Sequence, residues 1–232
     1  MSKKYKHLFF DLDHTLWDFE TNSKNALSLI FNAEELAKRG VPDFAHFYEC
    51  YYEVNGYWWR QYHHKKISKE ELRTKRFYET LLRFQVDDAT LAERIGEQYL
   101  ELSPLQTALF PDTLEVLEYL DGKYEMHIIT NGFKEVAPIK MELSGLQPYF
   151  KNVFISEEIG HQKPERAIFD FALQQSSAIA EESIMIGDNM EADILGAKNA
   201  GMDQIYFNPN QKRRKDRVTY EIFSMLELKT IL

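Results

Sequence analysis

The sequence predicts an α/β protein: a parallel sheet flanked by helices, with an α-helical module inserted after the first strand. Three observations carry this reading. Short, wholly apolar runs recur along the chain, as expected of strands buried on both faces of a parallel sheet. The later runs are separated by helical patterns long enough to serve as crossover connections. Between about Phe19 and Ser103, by contrast, helical periodicity continues with no strand pattern inside it.

Taken in order, the first strand is the run Leu8-Phe9-Phe10, which stops at Asp11. Roughly four helices fit the insertion; Gly40 with Pro42 breaks it once, and Ser68-Lys69-Glu70-Glu71 reads as a capping box that starts a new helix. A helix over residues 112–120 leads to a strand at 126–129, and a further strand follows at 153–155. The next helix spans 164–173, with Pro164 at the first helical position, where its missing N–H costs nothing. A strand at 184–186, a helix over 191–200 with Gly201 as its left-handed cap, and a strand at 205–207 complete the pattern. The chain therefore reads as a sheet core with the inserted helical module as a cap. Within the cap, Phe44, Phe47, Tyr48, Tyr51, Tyr52, Tyr57, Trp58, Trp59 and Tyr62 either pack between helices at spacings of three and four or form a stacking wall for a ring-bearing substrate.

Composition narrows the function. With 232 residues the chain can bury a core without disulfides, and the single Cys50 excludes an internal disulfide framework and a multi-cysteine zinc site. Its 28 basic and 37 acidic residues leave a net charge of −9, which argues against a binder of polymeric nucleic acid but not against a small anionic ligand. The basic run Lys212-Arg213-Arg214-Lys215 then reads as a solvated loop. The apolar run behind the basic residues at 3–6 is too short for a signal peptide, and no stretch approaches the roughly 18 apolar residues of a membrane span. A cytoplasmic protein with no membrane association and no protein partner implied is the expectation.

Four polar clusters sit where strands end, the position at which open parallel sheets bind ligands. Asp11 and Asp13 follow the first strand, where two carboxylates two residues apart can approach one site. Thr130-Asn131-Gly132 offers a hydroxyl and an amide suited to phosphate oxygens. Lys163 precedes Pro164 at a helix start, where an anion between the ammonium and the helix dipole would suit both. Asp188 and, five residues later, Asp193 follow the fourth strand. Each cluster alone has an ordinary turn, solvated-residue or helix-cap explanation.

In order and type the four clusters resemble the motifs of the haloacid dehalogenase superfamily of phosphohydrolases, over nearly the whole chain: residues 1–16 and 106–232 resemble its Rossmann-like core and 17–105 its α-helical cap domain. His14 stands where many members have Gly. The run Asp11-Leu12-Asp13-His14-Thr15-Leu16-Trp17, with its aromatic-rich cap, further resembles the branch containing pyrimidine 5'-nucleotidases. The resemblance implies a Mg²⁺-dependent phosphomonoester hydrolase acting on a small phosphorylated metabolite, with nucleoside 5'-monophosphates as one expected class. It implies that Asp11 is the nucleophile forming an aspartyl-phosphate, and that Asp13 protonates the leaving oxygen and then activates water. Thr130, Asn131 and Lys163 would bind the transferring oxygens. Clustered acids facing a phosphate dianion repel, by on the order of 4 kcal/mol per pair at 4 Å and an effective dielectric near 20. The implied remedy is Mg²⁺ on a carboxylate of Asp11, the backbone carbonyl of Asp13, and Asp188, with Asp193 as an auxiliary ligand.

Asp13 favours a phosphatase over a dehalogenase of the same superfamily, whose halide leaving group needs no proton. A sugar-phosphate phosphatase, a phosphosugar mutase and a catalytically idle phospholigand sensor remain open alternatives.

Overall fold

The structure, a computed structural model, describes residues 5–213 and 216–232. It divides into two compact units, Met1–Phe19 with Thr107–Leu232, and Glu20–Gln106.

The first unit is built on six parallel strands in the order β3-β2-β1-β4-β5-β6. These are β1 (His7–Phe10), β2 (Glu125–Thr130), β3 (Asn152–Ile155), β4 (Ser183–Gly187), β5 (Asp203–Phe207) and β6 (Tyr220–Ile222). Alternation along each strand sorts the apolar side chains into two layers. Leu8, Phe10, Ile128, Ile184, Ile186 and Ile205 face one side. Phe9, Ile129, Phe154 and Met185 face the other, against Ile168, Phe169 and Ala172. Both layers are buried, which is why β1 and β4 read as unbroken apolar runs. Strand β6 was not expected from the sequence. It is a three-residue edge strand whose Tyr220 is exposed and in which only Ile222 is buried, so it leaves no apolar run.

The helices in chain order are α1 (Phe19–Ala33), α2 (Phe44–His63), α3 (Lys69–Leu82), α4 (Ala89–Leu102), α5 (Thr113–Leu120), α6 (Ala137–Leu143), α7 (Ser156–Ile159), α8 (Arg166–Gln175), α9 (Gly196–Asn199) and α10 (Leu228–Ile231). The first four make the helical unit around Leu27, Ile30, Phe47, Tyr51, Phe77, Leu91 and Tyr99. Their starts follow local rules. Asp43 and Asp88 accept from the N–H groups of His46 and Leu91, and Ser68 with Glu71 forms the expected reciprocal box. Helices α3 and α4 approach closely at Gly96, where an added Cβ would lie 3.0 Å from the Arg73 carbonyl. Among the aromatics, Phe47 and Tyr51 are core, whereas Tyr52 and Tyr57 are exposed. The Trp58 indole donates to Glu79 within the same unit.

One expected helix start is corrected. Pro164 does not open α8, which begins at Arg166; residues 162–165 form a tight turn around a cis Lys163–Pro164 bond, closed by Glu165 N–H donating to the Gln162 carbonyl. Residues 190–195 form a π-helical turn before α9, and Gly201 has the left-handed φ of +86° expected of it. Of the basic run at 212–215, Lys212 and Arg213 are exposed, while Arg214 and Lys215 lie outside the described residues. No helix among the described residues is long and apolar enough to cross a membrane.

At the opposite end of the sheet from its strand C-termini, His127 lies fully buried with its Nε2 3.4 Å from His7 Nδ1 and its Nδ1 3.1 Å from the Asn152 amide. The imidazole centroids are 5.6 Å apart with the ring planes 21° from parallel; Glu125 beside them is paired with Lys151 at 3.0 Å. Burial lowers both pKa values, His127 to about 4. The unfolded chain takes up a proton at His127 near pH 6.5 while the native state refuses it until about 4. Stability is therefore lost as pH falls through that window, by about 3 kcal/mol from this residue. Urea titrations from pH 7 to 4.5 should show a shallower decline for His127→Gln than for the parent; parallel declines would remove His127 as the cause.

Candidate active site

In the sheet unit the chain winds from β1 outward through β2 and β3, then returns to the other side of β1 for β4 to β6. A crevice therefore opens where the strand order reverses. Register places the strand ends together. Phe10 pairs with both Ile128 and Ile186, so Asp11, Thr130 and Asp188 emerge at neighbouring C-terminal ends. The Asp11 N–H donates to the Ile186 carbonyl, which continues the ladder one residue past the strand.

Lys163 is the hub. Its ammonium lies 2.6 Å from Asp11 Oδ1 and 2.7 Å from Asp193 Oδ1, and the side chain is only 2% exposed. The Asp193 contact is an ion pair, and the other carboxylate oxygen, Oδ2, accepts from the Asn189 N–H at 3.0 Å. The Asn131 amide clamps the Lys163 backbone from both sides, donating to its carbonyl and accepting from its N–H, each at 2.9 Å. Thr130 Oγ1 accepts from the Gly132 N–H at 3.0 Å, so the hydroxyl hydrogen is left to donate. Asp188, the acid after β4, accepts from the Thr15 hydroxyl at 3.5 Å. Gly187 has no room for a side chain: a Cβ there would lie 2.6 Å from that of Asp193.

Four carboxylates, Asp11, Asp13, Asp188 and Asp193, thus share the strand ends with two ammonium groups, Lys163 and Lys140; the latter lies 2.5 Å from Asp13 Oδ1. The imbalance shows at Asp11 and Asp188. Burial raises the Asp11 carboxyl to about 7, against the pull of Lys163 and with the charge of Asp193 adding to the rise. Burial, then the charges of Asp11 and Asp193, push Asp188 well above the usual carboxylate range. Burial works against the Lys163 charge as well, but its two carboxylate partners outweigh it and hold its pKa above the usual lysine value. Ligand oxygens of Asp11, Asp188 and Asp193 fall within 4.8 Å of one another. A hard, all-oxygen donor set with surplus negative charge fits a divalent cation such as Mg²⁺.

All the residues singled out in the sequence, Asp11, Asp13, Thr130, Asn131, Lys163, Asp188 and Asp193, lie at these strand ends. One local expectation is corrected. Lys163 faces two carboxylates from a turn and not a helix dipole. Asn131 spends its amide oxygen and one amide hydrogen on the Lys163 backbone, so its first task is to hold that turn. Sequence reasoning missed Lys140. Its signal was a lysine on α6 between Ala137 and Met141, both buried, where an apolar residue is the usual occupant.

The model of the haloacid dehalogenase-like hydrolases matches residues 5–201. The chain belongs to that family. Among relatives, this hydrolase is 35% identical over 229 residues to pyrimidine 5'-nucleotidase PynA of Streptococcus pneumoniae, covering 97% of this chain and 93% of the relative. It is 31% identical over 233 residues to pyrimidine 5'-nucleotidase YjjG of Escherichia coli, covering 99% and 98%. The magnesium-bound crystal structure of YfnB from Bacillus subtilis, in which interdomain movement was seen, superposes with a TM-score of 0.89 at 29% identity, covering 99% of each chain.

Proposed function

We propose that this phosphoric monoester hydrolase removes the phosphoryl group from nucleoside 5'-monophosphates, pyrimidine nucleotides foremost, through an aspartyl-phosphate on Asp11. The sheet unit is assigned as the catalytic core and the helical unit as a cap that selects substrate. The observation that carries the chemistry is the buried Lys163 ammonium 2.6 Å from Asp11, with Asp13 two residues further on and Asp188 at the neighbouring strand end. The substrate class is supported by the two pyrimidine 5'-nucleotidases that match the chain over both units.

In the first half-reaction an Asp11 carboxylate oxygen bonds to phosphorus while the bond from phosphorus to the ester oxygen breaks, and Asp13 gives its proton to the departing oxygen. In the second, a water oxygen bonds to phosphorus, its proton passes to Asp13, and the bond to Asp11 breaks, freeing orthophosphate and both carboxyl groups. Lys163 and the Thr130 hydroxyl hold the phosphoryl oxygens and meet the charge that gathers on them. A magnesium ion held by Asp11, the Asp13 carbonyl and Asp188 would supply positive charge against the phosphate dianion.

Orthophosphate release from a panel of phosphomonoesters, with Mg²⁺ and with chelator, tests the reading. Uridine and thymidine 5'-monophosphates are expected to lead the panel, and chelation to abolish turnover. A preference for sugar phosphates would overturn the substrate class, and turnover indifferent to chelation would overturn the metal.

A further inference from the structure

We infer that Lys140 is the positioning residue for Asp13, fixing which carboxylate oxygen handles the proton; the inference rests on the acid–base role proposed for Asp13. The Lys140 side chain is 5% exposed, and its ammonium lies 2.5 Å from Asp13 Oδ1. The same ammonium stands 3.7 Å from the centroid of the Trp17 ring, which is itself fully buried, and 5.8 Å from that of Phe19. A buried lysine is costly unless its charge is met, and here it is met twice, by a carboxylate and by an aromatic face.

The turn that carries Asp13 also carries the indole. The Trp17 N–H donates to the Leu12 carbonyl at 2.9 Å, and the Trp17 carbonyl accepts from the His14 N–H at 3.0 Å, with His14 at φ +64° between them. Acid and aromatic plate are therefore one rigid piece, into which α6 inserts the ammonium. The second oxygen, Asp13 Oδ2, lies on the Thr130 side: a Cβ built on Gly132 would sit 3.4 Å from it and 3.1 Å from Thr130 Oγ1. Lys140 takes one oxygen and leaves the other beside the phosphate-binding hydroxyl.

The consequence is chemical as well as geometric. When Asp13 passes its proton to the ester oxygen, negative charge develops on a carboxylate already in contact with a buried ammonium, and that favours departure. In the hydrolytic half the same contact keeps Oδ2 aimed at the attacking water. Lys140 touches neither proton nor phosphate; it acts through Asp13.

Leaving-group dependence distinguishes this role from simple packing. A nucleotide's alkoxide leaving group needs the proton, whereas p-nitrophenolate departs without one. With saturating Mg²⁺, Lys140→Met is expected to lower kcat about 100-fold on uridine 5'-monophosphate and less than about 5-fold on p-nitrophenyl phosphate, with KM little changed. Lys140→Arg, which keeps the charge and protects the fold, should lose about tenfold or less on the nucleotide and nothing on the aryl ester. Asp13→Asn should show the selective pattern of the methionine variant, and the double variant should be no worse than Asp13→Asn alone. Equal losses on both esters from either Lys140 variant, or no loss in Lys140→Met, would overturn the inference. If Asp13→Asn is selective and Lys140→Met is not, Lys140 fails while the role of Asp13 stands. If Asp13→Asn makes no distinction, the acid–base reading fails and takes the inference with it.

Discussion

Asp11→Asn is expected to abolish phosphatase turnover, by on the order of 10⁴- to 10⁶-fold, while the protein stays folded. The amide matches the carboxylate in shape but cannot form the acyl phosphate. The stability side follows from the charge surplus. Asp11 is buried next to Asp188 and Asp193, its ionised form is disfavoured enough to raise its pKa to about 7, and a neutral isostere removes that repulsion. The cost is one partner of Lys163, which keeps Asp193 at 2.7 Å. Thermal melts without metal should therefore move little. Turnover within tenfold of the parent would exclude Asp11 as the nucleophile.

Lys163→Met should be damaging in both respects. It removes the proposed ligand for the phosphoryl oxygens and leaves Asp11 and Asp193 buried with no cation between them. Orphaning a buried charge in this way typically costs about 3–5 kcal/mol. Chemical denaturation should register a loss of that size, and the further substitution Asp193→Asn should restore part of the stability and none of the activity. A double variant no more stable than the single one would show that charge is not what Lys163 contributes to the fold. The two experiments separate roles that share one ion pair: Asp11 is expected to matter to chemistry alone, Lys163 to chemistry and folding together.

Much of this was legible in the sequence, for a physical reason. Strands buried on both faces must be apolar throughout, so β1 to β5 announce themselves, and the acids that end them stand out by contrast. The edge strand β6 escaped because one exposed and one half-buried residue out of three carry no pattern. Pro164 misled because a proline beside a helical run has two solutions, the first helical position or a turn just ahead of it, and local sequence does not distinguish them. Lys140 escaped because its meaning depends on Trp17 and Asp13, more than 120 positions away, and long-range ion pairs leave no periodic trace. An acid in a first helical turn has a ready local explanation, whereas the burial of Asp193 beneath Gly187 and its contact with Lys163 are tertiary facts.

The contact between positions 187 and 193 also restricts the routes by which this enzyme could mutate. Even one methyl group at 187 would collide with the Asp193 side chain, and shortening 193 first would strip Lys163 of a partner. The two positions are therefore coupled: a larger residue at 187 needs room that only a change at 193 supplies, and the Lys163 ammonium would then rest on Asp11 alone.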